Sequence, residues 1–241
     1  MRRAGRSHPT WTDMTEHVVH LTKGTNAQEA YDNIIGILAR QTIEARTPFG
    51  FARHLAPDPT SQHAVCFSEV PVDLLERIAG RRIPDPEGWH GIGFSKISVI
   101  ERGGGPVFYA YAGTPHEQAA RELVRRALTG ETPTDDPIWH LTPFIEAPGD
   151  YGNSPYYFEW EREWRHVGNF SFEPDEVAFL IMPERLHKAA RNFFVEAYTE
   201  HTGPAYFCPF LDLTWPRERV DSRLAAGPIA APTGGPGRGL W

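Results

Sequence analysis

Strand-type runs crowd the middle of this chain, at 64–70, 91–101, 106–111, 138–147, 156–167 and 177–182, with further runs at 17–23 and 205–209. The helical patterns do not alternate with them. A doubly wound parallel sheet needs a helix after nearly every strand, so this order argues against one. It points instead to an α+β fold: a mostly antiparallel, split sheet with flanking helices.

The helices announce themselves locally. Thr25 and Gln28 have capping-box spacing ahead of an apolar stripe of Tyr31, Ile34, Ile35 and Leu38. A short helix is expected at 72–79. Thr114, Pro115 and Glu117 open another that buries Ala120, Leu123, Val124 and Leu128. The helix at 184–200 puts Leu186, Ala190, Phe193, Phe194 and Ala197 inside and ends at Gly203. Gly103-Gly104-Gly105 reads as the turn of a hairpin joining 91–101 to 106–111.

No Pro/Gly-rich linker interrupts 14–221, which predicts one domain. Residues 1–13 and 222–241 read as flexible ends, the second because Pro and Gly dominate it. With 241 residues, 40% of them hydrophobic, a sizeable core is available. The 24 basic and 31 acidic residues give a formal charge of −7, without the clustered Lys and Arg of a phosphate-backbone binder. Cys66 and Cys208 are the only cysteines, which fits a reducing compartment better than a disulfide scaffold. The basic residues 1–9 lead into no apolar run, so no signal peptide is expected. No apolar run approaches the ~20 residues of a membrane helix. The expectation is a cytoplasmic protein.

The densest polar feature runs from Tyr157 to His166. As one strand it sets Tyr157, Glu159, Glu161, Glu163 and Arg165 on one face, with carboxylates about 6.5–7 Å apart. Such neighbours repel unless cations or a substrate compensate. The charge row by itself fits a solvated face in which Arg165 pairs with a glutamate. Two other strands bear polar groups. His20 and Thr22 stand opposite Val19 and Leu21, and Ala64, Cys66 and Ser68 share a face opposite Val65 and Phe67. An imidazole, a hydroxyl and a carboxylate thus come from three short strands in that order. His17 and His20 fall on opposite strand faces, which argues against a shared metal.

The blocks Ala64–Pro71, Gly91–Lys96 and Pro106–Tyr109 resemble bacterial abortive-infection proteins of the AbiGi type. Glu161-Arg162-Glu163-Trp164-Arg165 looks like the Glu-x-Glu-Trp-Arg element of related phage-defence and toxin–antitoxin families. The order of polar strands is also similar to the ADP-ribosyltransferase fold. That resemblance implies NAD as the substrate-cofactor of a mono-ADP-ribosyltransferase, or of an NAD-hydrolysing relative, in phage defence or a toxin–antitoxin system.

Carried over by position, His20 holds the ribose or the nicotinamide amide, and Ser68 supports the nicotinamide side, with Cys66 and Thr22 as alternatives. Glu163 is then the catalytic carboxylate and Glu161 steers the acceptor. Phe67, Phe94, Tyr109 and Tyr111 are either stacking surfaces for the cofactor or plain core aromatics. Arg53 is one of several arginines that either meet a pyrophosphate or pair locally. The acceptor, protein or nucleic acid among the choices, is not named by the sequence. It would be chosen by loops such as 47–62 and 131–136.

Two rivals stand beside this reading. One is a non-catalytic antitoxin, or a nucleotide- or partner-binding defence protein, on the same fold. The other is a nuclease, for which Glu161, Glu163 and Lys96 are the only available set.

Overall fold

The computed structural model describes residues 15–131, 133 and 135–231. The expected flexible segment 1–13 lies outside them, as does 232–241. In chain order the elements that matter are β1 (His17–Leu21), α1 (Ala27–Arg40), β2 (His63–Ser68), α2 (Glu76–Arg82), β3 (Gly91–Ser95), α3 (Lys96–Glu101) and β4 (Gly105–Pro106). Then follow α4 (Pro115–Arg126), α5 (Ile138–Leu141), β5 (Ile145–Glu146), β6 (Glu163–Val167), β7 (Val177–Ile181), α6 (His187–Glu200), β8 (Phe210–Leu211) and α7 (Arg217–Ala225). The strands pair mostly antiparallel, and the fold class is mixed α and β as expected. The described chain divides into two compact units. One contains Ile43–Glu69 and Lys96–Phe170; the other contains 15–42, Val70–Ser95 and 171–231.

In the second of these units the strands lie in the order β8-β7-β3-β1. β1 runs antiparallel to β3, with Leu21 opposite Gly91, and β7 pairs antiparallel with β3 and parallel with β8. A Cβ at Gly93 would fall 2.4 Å from the Phe179 ring, so glycine there is what lets that ring cross β3. Val19, Leu21, Leu75, Ile78, Phe179, Ile181 and Leu211 form an apolar core, joined by Val220 of α7. α7 was not expected. Pro216 precedes it and Val220 anchors it, so the ordered chain continues past 222.

Asn26, not Thr25, caps α1 by accepting from the Glu29 N–H, while the Thr25 N–H and hydroxyl donate to the Glu29 carboxylate. The buried stripe is Ala30, Ile34, Ile37 and Leu38, so Tyr31 and Ile35 face outward, contrary to expectation. On α6, Phe194 and Ala197 are buried but Phe193 is exposed. His201 in the left-handed region (φ 56°) ends this helix, two residues before Gly203. The expected strand at 205–209 does not form. The Arg191 guanidinium donates to the carbonyls of Tyr206 and Cys208, and the Tyr206 hydroxyl donates to Leu38 O. These contacts use backbone groups a ladder would need.

The first unit is built on β2, β6 and β4. β6 lies antiparallel to β2, with Glu163 opposite Ser68, Arg165 opposite Cys66 and Val167 opposite Ala64. β4 covers its other neighbour, with Trp164 opposite Pro106. Three expected elements are corrected here. The 91–111 hairpin does not form, because Lys96 begins α3, burying Lys96 and Val99 one turn apart. The glycine triplet stops that helix: Gly103 takes φ +85°, and the Gly103 and Gly104 N–H groups return to Ile100 O and Val99 O. The strand expected at 138–147 is α5, a 3₁₀ turn at Thr142–Phe144 and only then β5. Pro137 and Pro143 each start a helical turn there.

The strand expected at 156–167 is broken too. Glu159–Glu161 is a 3₁₀ turn and Arg162 is left-handed (φ 46°, ψ 57°), so only Glu163–Val167 is extended. On α4, Thr114 caps as expected and Ala120 and Val124 are buried. Leu123 and Leu128 are exposed, the latter within a π-turn at Ala127–Glu131 that departs from the helical period. Among the described residues no helix is long and apolar enough to cross a membrane.

Candidate functional site

The polar cluster lies within the first unit and starts from β2 and β6. Residues directly opposite on an antiparallel pair share a face, so Ser68 and Glu163 are side by side, as are Cys66 and Arg165. The end of β2 also pins the preceding turn. The Ser68 hydroxyl donates to Glu161 O (2.7 Å), and the Glu69 N–H donates to Arg162 O (3.0 Å). Ser68, the Glu161 carbonyl and Glu163 are therefore gathered, by a turn rather than by one strand. Glu161 and Glu163 are not consecutive members of an acidic strand face. Glu159 lies on the turn as well, where its carboxylate accepts from the Tyr111 hydroxyl (3.4 Å).

Arg165 organises the charges. It is 1% exposed, and its guanidinium grips both oxygens of Glu163, Nε at 3.1 Å and Nη2 at 2.8 Å. Nη2 also meets Glu146 Oε1 at 2.8 Å, and Nη1 donates to Pro143 O at 2.6 Å. The Phe49 ring lies under the guanidinium, 4.6 Å from its centroid. Burial works against this cation, but Glu163 and Glu146 outweigh it and hold Arg165 charged. Glu146, 3% exposed, is filled on every side: it accepts from Arg165, from the Gly50 N–H (3.0 Å), from Arg53 and from the Tyr156 hydroxyl (3.2 Å). Burial raises the Tyr156 phenol, keeping it a donor at neutral pH.

Tyr109 closes the near side. Its hydroxyl accepts from the Glu163 N–H (3.4 Å), and burial pushes its pKa up to about 12. On the opposite face of β6, the Trp164 indole donates to Glu69 Oε2 (2.6 Å), Lys96 pairs with Glu69 Oε1, and the Lys96 ammonium lies 5.6 Å from the Trp164 ring. Lys96 is thus committed to Glu69, not to Glu161 and Glu163 as the nuclease set needs. Among the described residues no group of three or more His, Cys, Asp or Glu is placed to hold a metal.

The other expected site residues fare differently. Phe67 (3% exposed) and Phe94 (0%) are core rings, edge-on to Phe170 and Phe172, and a ring with no open face does not stack on a cofactor. Thr22 is buried, its hydroxyl donating to Ala30 O and His90 O, so it ties β1 to α1 and is not turned to a ligand. His20 is half-buried on β1, opposite Ile92 of β3. His20, Thr22 and Phe94 belong to the second unit; Ser68, Phe67, Tyr109, Glu161 and Glu163 belong to the first. The second unit also holds a cavity of about 10 Å³ lined by Thr22, Trp89 and His90, room for one water and not for a nicotinamide.

The chain matches no protein-family model, no curated protein and no solved structure.

The resemblance to abortive-infection proteins and ADP-ribosyltransferases is an expectation from the sequence motifs alone. Glu146 and Tyr156 escaped the sequence reading, and Arg53 entered it only as one arginine among several. The usable signal was Arg165 itself: a guanidinium next to Trp164 on a strand packed into the interior needs counter-charges, and one glutamate does not fill five N–H donors.

Proposed function

We propose that this chain cleaves NAD at the nicotinamide–ribose bond and passes the ADP-ribosyl group to an acceptor or to water, in a bacterial defence or toxin–antitoxin setting. The observation that carries it is the cross-strand pair of Ser68 and Glu163, with both carboxylate oxygens held by Arg165 and the Glu161 turn tied to Ser68. Cleavage sends the C–N bond electrons to nicotinamide and leaves an oxocarbenium-like sugar. A carboxylate held beneath that ribose stabilises the developing positive charge. The acceptor lone pair then bonds the anomeric carbon, and its proton leaves to Glu161 or solvent. The role of His20 on the nicotinamide side rests on the resemblance alone.

Nicotinamide release from NAD by purified protein tests this reading. The expected result is turnover that falls at least about 100-fold in Glu163→Gln. Turnover unchanged in that variant removes Glu163 from the chemistry, and no turnover with any acceptor sinks the enzyme. One observation favours the non-catalytic rival: both Glu163 oxygens are engaged by Arg165 and the side chain is only 14% exposed. A partner protein that co-purifies stoichiometrically, without NAD turnover, would establish it.

A further inference from the structure

Glu163, Arg165, Glu146 and Arg53 form one chain of alternating charge, ending at the surface where Arg53 is 31% exposed. Two cations balance two anions, so the chain is neutral as a whole. Its arrangement is uneven. Arg165 is shared between two carboxylates, and how strongly it draws on Glu163 depends on how strongly Glu146 draws it the other way. Glu146 has no freedom of its own, since the Gly50 N–H, the Tyr156 hydroxyl and Arg53 fix it. We infer that Glu146 is a positioning residue: it sets the place of the Arg165 guanidinium, and through it the orientation of the Glu163 carboxylate beside Ser68. Arg53 trims that pull from the outside.

The signs follow from electrostatics. Glu163 faces Arg165 on its own strand, Ser68 and Cys66 on β2, Tyr109 from the strand Phe108–Tyr109, and Glu161 in the turn; Glu146 on β5 stands behind Arg165. Removing the negative charge of Glu146 leaves the Arg165 field unopposed, so Glu163 becomes more acidic. Removing the positive charge of Arg53 strengthens the hold of Glu146 on Arg165, so Glu163 becomes less acidic. A role in packing alone leaves kcat unchanged where positioning lowers it.

The inference rests on the proposed NAD chemistry only for its kinetic half. The test is the titration of the Glu163 carboxyl by NMR in glutamate-labelled protein, assigned against Glu163→Gln, in wild type, Glu146→Gln and Arg53→Gln. The expected result is a downward shift for Glu146→Gln and an upward one for Arg53→Gln. With it should come a fall in kcat of about tenfold in Glu146→Gln at a KM changed less than about threefold, the mark of lost orientation. If Glu146→Gln does not fold, Arg53→Gln, at a side chain less than a third exposed, still decides the sign. Titrations that stay put, or shift in the same direction in both variants, overturn the inference. A wild type that releases no nicotinamide but shows the opposite shifts retains the coupling and discards the reaction.

Discussion

The two units bury their interiors by opposite means. The β1–β3–β7 sheet packs Val19, Leu21, Phe179 and Ile181 into an apolar layer in which only size and shape matter, down to the glycine that makes room for Phe179. Behind β2 and β6 the buried volume is occupied by Arg165 and Glu146, with Glu163 at its edge. Apolar packing contributes stability directly. A buried ion network contributes little net stability, because desolvation consumes most of the attraction, yet breaking it is costly. Keeping charges where leucines would serve as well for folding is what a site needs and a scaffold does not, and it is why the candidate function is placed behind β6.

The contrast can be broken most sharply at Arg165. Arg165→Met leaves Glu146 and Glu163 buried and facing each other, and should cost about 3–5 kcal/mol in urea unfolding. A loss below about 1 kcal/mol would mean the network is solvated and not the interior described. A smaller effect belongs to the second unit. Burial lowers the His90 pKa to about 4, against 6.5 for a free imidazole. The unfolded chain therefore binds the proton first, so stability is full above about pH 6.5 and declines as the pH falls toward 4. The loss should reach at most about 3 kcal/mol. His90→Phe should flatten that limb between those pH values; an unchanged slope would assign it to other groups.

Gly93→Ala tests the shape-driven side of the comparison. The new methyl meets the buried Phe179 ring, and roughly 1–3 kcal/mol should be lost, read as a lower midpoint at constant m-value. The smallest effect returns to the polar unit. Arg162 is left-handed at φ 46°, so Arg162→Gly should relieve a strain of about 0.5–1 kcal/mol, seen as a slightly raised Tm. A fall in Tm instead would show that the Arg162 side chain supports the turn.

What could be read from the sequence was local. Strands β1, β2 and β7, the Thr114 cap and the shared face of Cys66 and Ser68 follow from period and capping chemistry within a few residues. The break between Glu161 and Glu163 did not, because it turns on a non-glycine residue adopting φ > 0, which alternation hides. The 91–101 run is rich in apolar residues along its length, which does not separate a strand from a strand followed by a short helix; helix α3 exposes Ile97 and Ile100 and buries Val99. The pairing of Ser68 with Glu163 was legible as residue types and not as register. Glu146 was illegible: its partners Gly50, Arg53 and Arg165 come from distant segments, and nothing near Glu146 in sequence hints at a buried cation.

The most direct measurement separates binding from cleavage at one residue. In Glu163→Gln, NAD affinity by calorimetry should stay within about threefold of wild type while nicotinamide release drops by two orders of magnitude or more, since the carboxylate acts on the developing charge and not on the resting dinucleotide. Affinity and release falling together, or neither changing, would contradict Glu163 as the group that stabilises the oxocarbenium-like sugar.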